Sequence, residues 1–128
     1  YGLTGRVHCL GIRDDMPVIY SALDIHTLIS TSESFGLANA EAMACETLCV
    51  TTDVGIMQQM LDNVGMVIAV DDDPNLLVAA WTRCITMDMD EKKQRLERGR
   101  ERIIREYSIK DAAARYDALY ASVLKDSR

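Results

Sequence analysis

Between Leu28 and Gly55 the sequence carries one strand–turn–helix–strand unit, and no other stretch limits the fold as sharply. An apolar run, Leu28 and Ile29, feeds the polar turn Ser30, Thr31, Ser32, Glu33, Ser34. After Phe35 and Gly36 comes a helical pattern from Leu37 to Ala44, and then a second strand-like run, Leu48, Cys49, Val50. Two short apolar strands joined through a helix read as a parallel pair with a crossover. The first turn of such a helix leaves backbone N–H groups without carbonyl partners, and the aligned peptide dipoles add partial positive charge there. The turn is therefore a natural seat for an anion. Gly36 lets a ligand approach the backbone closely.

The same alternation runs along the rest of the chain. Arg6 to Leu10 reads as a strand ending at Gly11, and Asp14, Asp15, Met16 and Pro17 open a helix that runs to Leu23. Ile25 to Thr31 reads as a strand buried on both faces, Leu48 to Thr52 as a third and Gly65 to Val70 as a fourth, with a short helix from Ile56 to about Asn63 between the last two. Asp73 and Pro74 start a helix whose apolar positions Leu76, Leu77, Ala80, Trp81, Cys84 and Ile85 keep helical spacing, so Trp81 is expected in the core. Asp90 to Glu106 is a highly charged helix with Leu96, Ile103 and Tyr107 as a thin inner stripe. Ser108 to Asp111 forms a capping box for a last helix whose apolar face holds Ile109, Ala112, Ala113, Tyr116, Leu119, Tyr120 and Val123. The expected fold class is α/β, a Rossmann-like parallel sheet of about four strands with flanking helices, in a single domain over residues 1–128.

Composition narrows the function classes. A formal charge of −6 argues against a nucleic-acid binder, because affinity for a phosphate backbone comes from accumulated Lys and Arg. Seven of the fourteen basic residues lie between Lys92 and Arg105, but Glu91, Glu97, Glu101 and Glu106 interleave with them, which suits ion pairs on a solvated helix face. Four scattered cysteines, Cys9, Cys45, Cys49 and Cys84, with only His8 and His26 beside them, give no zinc spacing, and reduced, mostly buried thiols are expected. No apolar run nears the ~20 residues that span a bilayer, and no basic-then-apolar leader opens the sequence, so a cytoplasmic location is expected.

Two carboxylates frame the central turn: Glu33 just before the helix and Glu41 eight positions later, in its second turn. Ionised carboxylates only accept hydrogen bonds, so a pair of them beside an anion site suits a ligand with both phosphate and vicinal hydroxyls, such as a nucleotide sugar. The plain alternative is a pair of solvated side chains, with Glu33 favoured by the helix dipole. Phe35, the single Phe, reads equally as core or as ligand contact.

Glu33, Ser34, Phe35, Gly36, Leu37, Ala38, Asn39, Ala40, Glu41, followed by Ala42, Met43 and Ala44, closely resembles the donor-site signature of retaining glycosyltransferases of the GT-B architecture, often called group 1. The resemblance covers almost the whole chain, through Gly11 to Pro17, Ala22 to Asp24 and Ile29 to Ser32 upstream. Downstream it runs through Val50 to Gly55, Gly65 to Ile68, and Glu106 to Ile109 with Tyr116, Leu119 and Tyr120. It implies part of a C-terminal, nucleotide-sugar-binding domain. By that resemblance Glu33 holds donor-sugar hydroxyls and the charge that develops at the reacting centre. Phe35, Gly36 and Leu37 offer backbone N–H groups to sugar and diphosphate, Glu41 grips the ribose, and Gly11 to Arg13 lie near the base. It implies glycosyl transfer with retention, no cofactor and no essential metal.

Departures matter equally. The family has Gly where Glu46 stands, at a helix end that commonly takes a left-handed residue, so strain or a changed turn is expected there. The family's Glu a few residues after Gly55 is replaced by Met57, Gln58 and Gln59. The resemblance covers only the later two-thirds of a donor domain, with neither the acceptor domain nor the Arg and Lys that neutralise the diphosphate. Two strands that lie between Arg6 and Ile25 in the family's sheet are missing, so either those strands pair directly, or an open edge remains, or a homodimer covers the sheet edge or the last helix. Two functions follow as expectations: a piece of a glycosyltransferase that is inactive alone and needs an acceptor domain or partner chain, or a non-catalytic interaction module descended from one. A receiver-like α/β domain is the weakest alternative, because the Lys it needs near a later strand end is lacking.

Overall fold

The computed structural model describes residues 2–126. Its elements run in the order α1 (Met16–Ala22), β1 (Ile25–Leu28), α2 (Leu37–Ala44), β2 (Leu48–Thr52), α3 (Met57–Leu61), β3 (Met66–Ile68), α4 (Pro74–Ile85), α5 (Met89–Glu106) and α6 (Ile109–Asp126). The three strands form one parallel sheet in the order β1-β2-β3, with Ile25 opposite Leu48 and Val50 opposite Met66.

β2 is the spine. All five of its residues are buried, because helices cover both faces. On one face Cys49 packs with Tyr20 of α1, Met43 of α2, Met57 and Met60 of α3 and Ile103 of α5. On the other, Leu48 and Val50 pack with Ala80 and Cys84 of α4. Full burial of side chains such as Leu48 and Val50 stabilises the sheet by about 1.5–3 kcal/mol each. α5 serves both layers, with Leu96 against one cluster and Ile103 in the other.

The helix ends follow from side-chain chemistry. Asp73 caps α4 by accepting from the Asn75 N–H at 2.9 Å, and Asp88 caps α5 by accepting from the Asp90 and Glu91 N–H groups. α2 ends in a Schellman motif: the Glu46 N–H donates to the Met43 carbonyl at 3.1 Å and the Thr47 N–H to the Ala42 carbonyl at 3.0 Å. Glu46 therefore takes the left-handed position, with φ 58°, as the departure at this residue led us to expect. Two arginines of α5 reach the carbonyl ends of neighbouring helices, Arg100 to Ala44 and Arg102 to Met60 and Asp62.

Three expectations need correction. Residues 6–10 form no strand, so the sheet has three strands rather than about four. Val7 and Leu10 stay exposed, and the flanking Gly5 and Gly11 are left-handed at φ 79° and 68°. A run that offers only alternate apolar residues pairs when a neighbouring strand gives it a ladder, and here β1 keeps an open edge instead. β1 stops at Leu28 and is half-buried rather than enclosed on both faces. Trp81 is 40% exposed rather than core; its indole N–H donates to Thr27 Oγ1 at 2.9 Å. The apolar face of α6 also stays open, with Ile109, Tyr116, Leu119 and Tyr120 all exposed. Among the described residues no helix is long and apolar enough to cross a membrane.

Candidate functional site

In a parallel sheet all strands present their carboxyl ends on one side, and the loops leaving those ends build the ligand crevice of open α/β folds. Here the loops are residues 29–36 after β1, 53–56 after β2 and 69–73 after β3. They converge: Ile29, Ser30, Thr31, Thr52, Val70, Asp71 and Asp72 line one open groove of about 290 Å³.

The first of these loops is fastened by contacts to β2. Thr52 Oγ1 accepts from the Ser30 N–H at 2.9 Å and donates to the Ser30 carbonyl at 2.6 Å, closing both backbone groups on one side chain. Ser30 Oγ donates to Glu33 Oε1 at 3.4 Å, and Glu33 is half-buried. Gly55, left-handed at φ 55°, lies directly under this loop. A Cβ there would collide with the Glu33 carbonyl and stand 2.8 Å from that of Ser34. Thr52 and Gly55 thus set the height of Glu33. Sequence reading gave them no such role, because both contacts join residues some twenty positions apart.

Gly36 precedes α2 in the left-handed region, at φ 73°, and supplies no side-chain cap. The first bonds of the helix are those of the Asn39 and Ala40 N–H groups to the Gly36 carbonyl, at 3.0 and 3.2 Å. The N–H groups ahead of them, on Leu37 and Ala38, have no carbonyl one turn back. The first turn of α2 thus leaves N–H groups without backbone partners, beside exposed Leu37 and buried Gly36. Phe35 points the other way. Its ring meets Tyr107 edge-on, with centroids 5.4 Å apart, and joins the partly buried set around the core.

Glu41 lies on the flank of α2 that faces α1. Its Oε2 accepts from the Tyr20 hydroxyl at 3.3 Å, and the two residues line an open cavity of about 320 Å³ with Met16, Pro17, Ala44 and Cys45. Burial, reinforced by the Glu41 charge, raises the Tyr20 phenol above its ordinary value, so it remains a donor to Glu41. The His26 ring stands edge-on to Tyr20 at 5.4 Å, and its buried Nε2 has no partner among the described residues. Burial lowers the His26 pKa, and the nearby Glu41 opposes that in part. The sequence marks neither as a site residue: Tyr20 reads as part of a helix, and His26 only as a histidine without zinc spacing.

Gly11 and Arg13 sit on the exposed segment ahead of α1. Arg13 is held locally by a two-toothed pair with Asp15, at 2.7 and 2.5 Å. After β2, Gln58 Nε2 donates to Asp53 Oδ2 at 3.2 Å, and Met57 is fully buried. Among the described residues no group of three or more His, Cys, Asp or Glu is arranged to hold a metal ion.

Comparisons with known proteins bear on the family and the fold. Residues 1–87 match the family described as Glycosyl transferases group 1. The chain is 31% identical over 125 residues to the N-acetyl-alpha-D-glucosaminyl L-malate synthase of Bacillus anthracis, covering 96% of this chain and 32% of that protein. It is 36% identical over 112 residues to a D-inositol 3-phosphate glycosyltransferase of Salinispora tropica, covering 84% of this chain and 22% of that one. Among solved structures it superposes on a sucrose-phosphate synthase from Thermosynechococcus elongatus with a TM-score of 0.77 and 29% identity, over 85% of this chain and 27% of that one. The chain thus spans between about a fifth and a third of the length of these relatives. The three-stranded parallel sheet with its flanking helices is the Rossmann-like architecture expected for part of a GT-B domain, and the chain belongs to the group 1 glycosyl transferases.

Proposed function

We propose that residues 1–128 form one truncated donor-binding domain, the part of a retaining glycosyltransferase that holds a nucleotide-diphosphate sugar, and that the chain is inactive alone. One observation carries this reading. The uncapped first turn of α2 lies between Glu33 and Glu41 along the chain, after the loop that leaves the carboxyl end of β1 and that Thr52 and Gly55 fix.

Each residue then has a task. The N–H groups of Gly36 and Leu37, with that of Phe35, receive the diphosphate and sugar oxygens at the positive end of the α2 dipole. Glu41, oriented by Tyr20, accepts from the ribose hydroxyls. Gly11 and Arg13 lie on the base side. Glu33 accepts from donor-sugar hydroxyls and faces the positive charge that grows on the anomeric carbon. As the bond from that carbon to the phosphate oxygen breaks, its electron pair leaves with the nucleoside diphosphate. The acceptor hydroxyl oxygen bonds to the same face, and its proton passes to the departing phosphate. This chemistry needs no metal and no cofactor. It does need a second domain or partner chain to bring the acceptor and exclude water, which is why the isolated chain is expected to bind without turnover.

A second reading, a non-catalytic interaction module, draws on two departures: left-handed Glu46 and the Met57–Gln58–Gln59 run. Calorimetric titration with UDP, GDP and ADP, with Glu41→Ala as control, separates the two. Saturable binding lost in the variant supports the donor site. The absence of binding to millimolar concentration supports the module.

A further inference from the structure

Asn39 poses a question that the donor site does not answer. It stands in the first turn of α2 and is 0% exposed, yet its Oδ1 has no partner among the described residues. Burying an unpaired carbonyl is unfavourable, and an apolar side chain of the same size would fill the position without that cost. Its other end is tied: Nδ2 donates to Met57 Sδ at 3.1 Å, across to α3. Met57 is also what Gly36 rests on, since a Cβ added at Gly36 would stand 2.7 Å from Met57 Cε and 3.5 Å from Asn39 Nδ2. Gly36, Asn39 and Met57 are one packed unit.

The spacing supplies the meaning. Gly36 is the N-cap of α2 and Asn39 its third residue. In a capping box a Glu or Gln at that third position reaches back to the N-cap backbone N–H, and Asn39 brings the same kind of acceptor on a shorter side chain. With Oδ1 unpartnered, that bond is not made here. We infer that the Asn39–Met57 hydrogen bond is a positioning device: it draws the Asn39 amide toward α3, withholds Oδ1 from the Gly36 N–H, and leaves that N–H free for a phosphate oxygen. Met57 thereby determines whether the α2 N-terminus is open to an anion or closed on its own side chain. This rests on the donor-site reading for the identity of the anion, and on the Asn39 geometry alone for the device.

Met57→Leu removes the sulfur acceptor with little change of volume. Released, Asn39 caps Gly36, and two things follow. The Gly36 amide, measured by NMR hydrogen exchange in the ligand-free protein, becomes more protected than in wild type. Affinity for UDP falls about tenfold, the factor carried by one net hydrogen bond. The double variant Asn39→Leu/Met57→Leu has no amide to close the turn, so Gly36 exchange and UDP affinity return to within about twofold of wild type. Asn39→Leu alone leaves both near wild type while its melting temperature holds or rises, and it keeps the test alive if Met57→Leu folds poorly. Unchanged Gly36 exchange in Met57→Leu, or a double variant no better than Met57→Leu, overturns the inference. If wild type binds no UDP, the donor reading fails, and Gly36 exchange still decides the role of Asn39.

Discussion

Replacing Glu46 by Gly should stabilise the protein. The Schellman motif that ends α2 requires a left-handed residue, and Glu46 meets that requirement at φ 58° with a Cβ in the way. That conformation costs a residue with a side chain roughly 1–2 kcal/mol. Two losses offset the relief. The Glu46 carboxylate pairs with Arg100 Nε at 3.6 Å, but both side chains are about half exposed, and such pairs contribute about 0–1 kcal/mol. Glycine also loosens the unfolded chain, worth about 0.4–1 kcal/mol. Arg100 keeps its bond to the Ala44 carbonyl whatever stands at 46, so the end of α2 stays fastened. At mid-range values the balance favours Gly by about 0.3 kcal/mol, a rise of about 1–2 °C in melting temperature for a chain of this size. Thermal unfolding followed by circular dichroism measures it, with Glu46→Ala as the companion: that variant keeps the Cβ, loses the ion pair and should melt at or slightly below wild type. A Glu46→Gly protein that melts no higher than wild type would refute the reasoning.

Three other outcomes follow from the packing and the charges. Gly99→Ala should raise the melting temperature, because an added Cβ would find Met43 Cε at 3.6 Å and Val64 Cβ at 3.7 Å, ordinary contact, while Ala gains about 1 kcal/mol of helix propensity; a lower melting temperature would mean that α2 and α5 leave no room. His26 has a lowered pKa, so on acidification the unfolded chain takes up this proton first. The stability that neutral His26 contributes is full above about pH 6.5 and is lost as pH falls toward the folded value. Urea midpoints between pH 7 and 5 should therefore fall more steeply in wild type than in His26→Phe, and parallel curves would contradict the assignment. The apolar row on α6 and the open edge of β1 predict self-association, read in sedimentation equilibrium as a mass above that of one chain that grows with concentration; a constant monomer mass refutes it.

Local rules made much of this legible. Asp73 before Pro74 and the Leu37–Ala44 pattern are decided within a few residues, and the structure repeats them. Glu46 was legible for the same reason, since a helix that ends where the family keeps Gly leaves few backbone choices. What was not legible depends on partners far along the chain. Residues 6–10 have a strand-like pattern, but a strand needs a ladder, and no local signal says whether a neighbour will supply one. Trp81 kept the helical spacing of its buried neighbours, yet it sits at the margin of the sheet, where its N–H finds Thr27 and its ring stays partly wet. At the site, Glu33, Gly36 and Glu41 were visible as a spaced motif. Thr52, Gly55 and Met57, which hold the loop in place, became visible only once β2 lay beside β1.

The central claim is that an anion-bearing nucleotide sits at the first turn of α2. Titrating isotopically labelled protein with UDP, GDP and ADP, and following backbone amides by NMR, tests it residue by residue. The account predicts saturable shifts for at least one nucleotide at Gly36, Leu37 and Ala38 and in the Ser30 to Glu33 turn, lost in Glu41→Ala. Amides that do not move up to millimolar nucleotide, or shifts confined to α4 and α6, would contradict it.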